Sequence, residues 1–233
     1  MQTLLATWAA RPDRAVLFDF NGTLSNDEPL LLRMYVEMFA EHLGIELTAA
    51  EYYSRLAGRS DPEIIEAVVA EQAGGSAELA ARLLAEVDGR YLSLVEERSP
   101  IEDPTLELLD LLMAHDVPFG IVTGATRPSV EHVLAHRGIR HHFEVIVTEE
   151  DVVEGKPSPE GFLRGASLLG VTPSSVLVFE DSLFGIRGAR AAGMTVLGVI
   201  GTKSAAELGA EADGVIALLC ADVVTAALTE AVL

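Results

Sequence analysis

From residue 105 onward, apolar runs too short for helices alternate with amphipathic segments of helix length, and this alternation constrains the fold more than any other feature. Residues 106–114 read as a helix, 117–122 as a strand, 129–136 as a helix and 143–147 as a strand. The order repeats with helix 159–169, strand 176–179, helix 185–192 and strand 195–200. Parallel strands joined through helices need right-handed crossovers, so this half of the chain predicts a parallel sheet with helices on both faces. One further run, Ala15-Val16-Leu17-Phe18, lies far upstream and must join the same sheet. The stretch between, 29–104, is rich in helix formers and has no strand-like run. Leu31, Leu32, Tyr35, Val36, Met38 and Phe39 recur at helical spacing, as do Ile64, Ile65, Val68 and Val69. Thr48-Ala49-Ala50-Glu51 has capping-box spacing, Ser60-Asp61-Pro62-Glu63 reads as a second helix start, and Gly74-Gly75 marks a loop. The expected organisation is an α/β, Rossmann-like core from 1–28 and 105–233, interrupted by a helical insertion at 29–104.

Ligands of open α/β sheets sit beyond the carboxyl ends of the strands, which gives the residues after each run their interest. Asp19 ends the first run and is followed by Phe20-Asn21-Gly22-Thr23-Leu24. Alone it reads equally as a catalytic carboxylate and as a cap of the next segment. Thr123-Gly124-Ala125 ends the second run, where a hydroxyl and accessible backbone N–H groups suit an anion. Glu180-Asp181 ends the fourth, and carboxylates from two strand ends make a hard oxygen site of the kind Mg²⁺ takes. Lys156 stands in Glu154-Gly155-Lys156-Pro157, and it matters that Lys156 and Lys203 are the only lysines among sixteen basic residues.

Together these segments resemble the haloacid dehalogenase superfamily, in particular its β-phosphoglucomutase and phosphoglycolate phosphatase branch. That family opens its signature with Asp-x-Asp-Gly-Thr. Asp19, Gly22 and Thr23 match, while the second acidic position is Asn21. The resemblance implies a helical cap inserted in the core and a Mg²⁺-dependent phosphatase of small phosphorylated metabolites. It makes Asp19 the nucleophile of an aspartyl-phosphate mechanism, Thr123 a phosphoryl hydrogen-bond donor and Lys156 the cation beside the phosphoryl group. Gly22, Thr23, Gly124 and Ala125 fall in the substrate-binding turns. Asp19, the Asn21 backbone carbonyl, Glu180 and Asp181 fall at the metal, with Asp181 the direct ligand. Arg59, in Leu56-Ala57-Gly58-Arg59, reads as a holder of a substrate's distal anion or hydroxyls, or equally as a surface ion-pair partner.

In the resembled phosphatases the residue at position 21 is an acid that protonates the leaving oxygen and later activates water. An amide cannot exchange a proton in this way, so metal binding is expected to survive and acid–base catalysis is not. The phosphonatase-like variant uses a cap lysine, and 29–104 contains none. Dehalogenase-like members carry an aromatic residue at that position, and a mutase needs the retained acid, so Asn21 fits neither well. Asp27 and Glu28 are candidates for a replacement proton donor, with hinge-region surface acids as the plainer reading. A non-catalytic phosphate- and metal-binding protein is the rival from another class.

Composition narrows the partners. A formal net charge of −20 repels nucleic acid and anionic membrane, since both demand a basic footprint. The single Cys220 excludes an internal disulfide and is expected in the core. Residues 1–14 lack a basic start followed by a long apolar run, and the apolar tail is broken by Asp222, Thr225 and Glu230, so a cytoplasmic protein is expected.

Overall fold

A computed structural model describes residues 1–57, 59, 61–71 and 75–230. Chain contacts divide it into two compact units, Met1–Asn26 with Ile101–Leu233, and Asp27–Pro100.

The first unit is built on a six-stranded parallel sheet: β1 (Ala15–Phe18), β2 (Phe119–Val122), β3 (Val145–Val147), β4 (Val176–Glu180), β5 (Thr195–Val199) and β6 (Gly214–Ile216), in the order β3-β2-β1-β4-β5-β6. Its helices are α1 (Gln2–Ala9), α6 (Asp103–Ala114), α7 (Arg127–Arg137), α8 (Glu160–Leu169), α9 (Leu183–Ala191), α10 (Ala205–Gly209) and α11 (Asp222–Glu230). The strand order runs outward in both directions from β1, which pairs with β2 at Val16↔Phe119 and with β4 at Val16↔Leu177. β1 is therefore central, and all four of its residues are buried, as an uninterrupted apolar run requires. Successive side chains point to opposite faces. Phe18 stacks on Phe179 at 5.5 Å between centroids and meets Phe119 edge-on at 6.2 Å. Leu17 packs in a second cluster with Val122, Val178, Phe162 and Ile186. Fully burying side chains of this size is worth about 1.5–3 kcal/mol each.

Where the strands begin differs from expectation by two residues in two places, for one reason. Val117 donates its N–H to Leu112 O, closing the C-terminus of α6 around Asp116 in the left-handed region (φ 51), and Phe143 donates to Arg140 O in a 3₁₀ turn. Those groups are spent on helix ends and cannot open a ladder. β6 has no apolar run to announce it: three residues beginning with glycine form the edge of the sheet. Cys220 is half-buried rather than a core residue.

The second unit contains α2 (Glu28–Leu43), α3 (Ala49–Glu51) running on into a π-helical turn at Tyr52–Leu56, α4 (Asp61–Glu71) and α5 (Ala77–Glu97). Gly44 in the left-handed conformation (φ 66) ends α2, and the Thr48–Glu51 capping box starts α3 with both reciprocal hydrogen bonds made. Ser76 caps α5 by accepting from Leu79 N at 3.2 Å. Tyr35, Met38, Phe39, Tyr52, Ile65, Leu83 and Val95 are buried, with Tyr35 against Phe39 at 5.4 Å and Tyr52 at 6.1 Å. The compact units divide at Asp27 and Pro100, whereas 29 and 104 were expected: Pro104 is the second residue of α6, a helix of the α/β unit. Gly58, Ser60 and Gly74, singled out in the sequence, lie outside the described residues.

Candidate active site

Because all strands run the same way, their carboxyl ends share one edge of the sheet, and β1, β2 and β4 are adjacent there. Asp19 follows β1 directly and still donates its N–H to Phe179 O of β4 at 2.9 Å, so the ladder holds its backbone. The chain then turns sharply: Gly22 N donates to Ser25 O at 2.7 Å, and Ser25 N to Phe20 O at 2.8 Å. Glycine is required at position 22 on two counts. Its φ is +77, and a Cβ there would lie 2.3 Å from Asp181 Oδ2.

Glu180 closes β4 and is 1 % exposed. Its Oε1 accepts from Ser182 N (3.1 Å) and Ser182 Oγ (2.8 Å), and its Oε2 accepts from Lys156 Nζ at 2.7 Å. Ser182 in turn accepts from Gly185 N at 3.0 Å, capping α9. A Cβ at Gly185 would fall 1.9 Å from Glu180 Oε2, so the glycine clears the space in which this carboxylate is clamped. Lys156, with 16 % of its side chain exposed, donates to Asp19 as well as to Glu180 and sits 5.4 Å from the centre of the Phe162 ring. Burial alone would lower its pKa, but Asp19 and Glu180 outweigh it and hold the ammonium above its ordinary range. For Asp19 burial comes first, then repulsion from Glu180, and these push its carboxyl well above the ordinary range against the pull of Lys156.

Among the described residues, Asp19, Glu180 and Asp181 form a buried cluster with ligand oxygens all within 4.8 Å of one another. Three carboxylates face one ammonium and leave a formal excess of two negative charges. Hard oxygen donors with that imbalance fit a small divalent cation.

Thr123 N continues the β2–β3 ladder to Val147 O at 2.9 Å, and its hydroxyl oxygen accepts from Ala125 N at 3.0 Å. The Ala125 N–H, expected to be open to an anion, is thus engaged by Thr123, while the hydroxyl retains its hydrogen to donate. Nothing lies within 4 Å of the Cβ position at Gly124. Asn21 is partly exposed and bridges to Ser25 through the backbone, and Thr23 is buried. Arg59 belongs to the helical unit and is exposed there. So do Asp27, fully buried with Tyr91 donating at 3.4 Å, and Glu28, which accepts from Tyr52 at 3.0 Å. Burial raises the Glu28 pKa, opposed by the Tyr52 hydrogen bond.

Two partners of the cluster were not singled out in the sequence. Ser182 follows the acidic pair and is explained by it. Thr202, in Ile200-Gly201-Thr202, donates to Asp181 Oδ2 at 2.5 Å. The only signal for it was a strand ending in glycine and a hydroxyl, the pattern that drew attention to Thr123-Gly124.

Carboxylates at the ends of β1 and β4 thus converge on Lys156, and Thr123 ends the adjacent β2. The chain belongs to the haloacid dehalogenase-like hydrolase family, whose model matches residues 16–199. It is 36% identical over 201 residues to a validoxylamine A 7′-phosphate phosphatase of Streptomyces hygroscopicus subsp. limoneus, covering 86% of this chain and 91% of that protein. It is 29% identical over 196 residues to a fructose-1-phosphate phosphatase of Escherichia coli, covering 79% and 95%. A crystal structure of a family IA, variant 3 hydrolase of this superfamily from Entamoeba histolytica superposes with a TM-score of 0.78 at 27% identity, covering 94% of this chain and all of that one. No helix among the described residues is long and apolar enough to cross a membrane.

Proposed function

We propose that this chain is a Mg²⁺-dependent phosphatase of small phosphate esters that works through an aspartyl phosphate on Asp19. The observation that carries the reading is the buried convergence of Asp19, Glu180 and Asp181 on Lys156 at the carboxyl edge of the sheet. Asp19 attacks phosphorus, the ester P–O bond breaks, and the departing oxygen takes the electron pair. Water then attacks the same phosphorus and returns the Asp19 carboxylate. Lys156 neutralises charge on the nucleophile and the transferring group, and Glu180, clamped by Ser182, keeps the ammonium in place. Thr123, its oxygen already accepting from Ala125, donates its hydroxyl hydrogen to a phosphoryl oxygen. Asp19, the Asn21 carbonyl and Asp181 would hold Mg²⁺, which when bound supplies the positive charge that lets an anionic carboxylate approach an anionic phosphate.

Asn21 limits the chemistry. With no carboxyl there, an alkoxide leaving group goes unprotonated, at a cost of about 10² to 10⁴ in rate. The relatives' names put fructose 1-phosphate and validoxylamine A 7′-phosphate first among substrates to try. Asn21 also favours a second reading, a phosphate- and metal-binding protein without turnover. Phosphate release from a panel of such esters, with and without Mg²⁺, separates the two. Release that needs Mg²⁺ and disappears in Asp19→Ala supports the enzyme, and no release from any ester supports the binding protein.

A further inference from the structure

We propose that Thr202 is a positioning residue that sets how Asp181 meets the metal, holding it to one-oxygen coordination and so favouring Mg²⁺ over Ca²⁺; this rests on the metal reading of the site given above.

β5 pairs with β4 in parallel at Glu180↔Gly198, so the segments that leave the two strands start side by side. Asp181 is the first residue beyond β4, and Thr202 lies on the segment beyond β5. The Thr202 hydroxyl has one hydrogen. It lies 2.5 Å from Asp181 Oδ2 and 3.3 Å from the Asp181 backbone oxygen, so the carboxylate takes it. Gly22 crowds the same oxygen, since a Cβ at that position would stand 2.3 Å away, and a Cβ on Gly201 would stand 3.9 Å away. Oδ2 is therefore held between the Gly22 turn and a donated hydrogen bond.

A carboxylate fixed in this way has one oxygen committed to the protein and cannot swing freely to chelate an ion through both. The two common hard cations respond differently to that restriction. Mg²⁺ demands near-octahedral geometry with short bonds, which single carboxylate oxygens satisfy, whereas Ca²⁺ is larger and takes two-oxygen carboxylate ligands readily. Partners behind metal ligands are commonly worth 10- to 100-fold in metal affinity. No residue of the acidic cluster need change for the preference to change, because the hydroxyl acts through Asp181.

The test is calorimetric titration of the full chain with Mg²⁺ and with Ca²⁺, for wild type, Thr202→Val and Thr202→Ser. Valine keeps the shape and removes the donor; serine restores it. The expected result is a loss of Mg²⁺ affinity on the order of 10-fold in Thr202→Val, with Ca²⁺ affinity kept or increased, and recovery of the wild-type ratio in Thr202→Ser. Thermal melting of the metal-free proteins checks that each variant is folded, and Thr202→Ala replaces the valine variant if it is not. Equal weakening of both ions, an unchanged Mg²⁺ affinity in the variant, or failure of serine to restore the ratio overturns the inference while leaving the metal site standing. A wild-type chain that binds neither ion overturns the metal site and this inference with it.

Discussion

Both units draw acids away from solvent, but they satisfy them differently. In the α/β unit, Asp19 and Glu180 share the ammonium of Lys156 and face each other and Asp181 across less than 5 Å. In the helical unit, Glu28 and Asp61 are each met by a phenol: Tyr52 donates to Glu28 and Tyr35 to Asp61. A phenol supplies a hydrogen bond but no counter-charge, and burial shifts both acids toward the protonated form, for which no further ion is needed. Burial pushes Asp19 the same way, but here three carboxylates crowd one another around a single lysine, which cannot balance them. Crowded carboxylates that share one cation therefore mark the place where the fold has kept a site for a ligand, and single acid–phenol pairs mark packing.

The largest expected effect breaks the comparison at its charged end. Asp19→Asn should lower phosphate release by about 10⁴-fold or more, because it removes the proposed nucleophile. It also removes one of three mutually repelling carboxylates while leaving an oxygen for Lys156. The metal-free variant should then melt no lower than wild type, the usual relation between a functional charge and stability. Fluoroberyllate binding, followed by thermal shift, should vanish in the same variant. A melting point well below wild type would show that Asp19 is a structural partner of Lys156 first.

How much of this was legible beforehand depended on range. The run Ala15–Phe18 announced β1 because a central parallel strand is apolar on both faces, and Asp19, Thr123 and Glu180-Asp181 were legible as the polar residues at which such runs stop. The acid–phenol pairs were not legible. Tyr35 and Asp61 are separated by 26 residues and come together through the packing of α2 with the start of α4, and nothing local in either segment marks it. Thr202 was hidden for the same reason: its role rests on a strand pairing between β4 and β5, not on its neighbours. β6 was missed because three residues at a sheet edge take their strand character from β5.

The second effect sharpens the charged side. Asn21→Asp should raise turnover of sugar phosphates by about 10² to 10⁴, roughly 3 to 5 kcal/mol of barrier, by returning a proton donor to the leaving oxygen. Acetyl phosphate and p-nitrophenyl phosphate, whose leaving groups need no proton, should gain little. Steady-state kinetics on the three substrates gives the answer. Equal gains on all of them would indicate a change in binding or folding instead.

A smaller effect probes the acid–phenol pairs. Tyr35→Phe strands the Asp61 carboxyl and should cost about 1–3 kcal/mol in urea unfolding. Asp61→Asn keeps an acceptor for the phenol and should cost less. Burial raises the Asp61 pKa above its ordinary 3.8, opposed by the Tyr35 hydrogen bond and aided by repulsion from Asp88. The folded chain then holds more protons than the unfolded one in the window above 3.8, so the contribution of this group to stability falls as pH rises through it. The asparagine variant lacks that slope. Its stability relative to wild type should rise with pH, and a difference that stays flat would mean that Asp61 titrates alike in the folded and unfolded chains, as an ordinary surface acid does.

The smallest effect comes from a carboxylate of the α/β unit that lies outside the cluster and shows the opposite sign. Asp13 accepts from Ser175 Oγ at 2.7 Å, from Thr172 Oγ1 at 2.8 Å and from Thr172 N at 3.1 Å, tying the residue ahead of β1 to the turn ahead of β4. These bonds favour the ionised form, the Ser175 hydroxyl most, and lower the pKa from 3.8 to about 2. Between those two values the unfolded chain binds more protons than the folded one, so the stabilisation is complete above 3.8 and is lost as pH falls toward 2. Asp13→Asn should therefore be less stable than wild type at neutral pH, and the gap should close on acidification. Because the group is only half-buried, the gap is expected to be the least of the four, and a thermal-melting series from neutral to acid pH resolves it. A gap that stays constant down to acid pH would mean that the hydrogen bonds to Thr172 and Ser175 do not distinguish the two protonation states, and that the strand β1 is anchored here by shape alone.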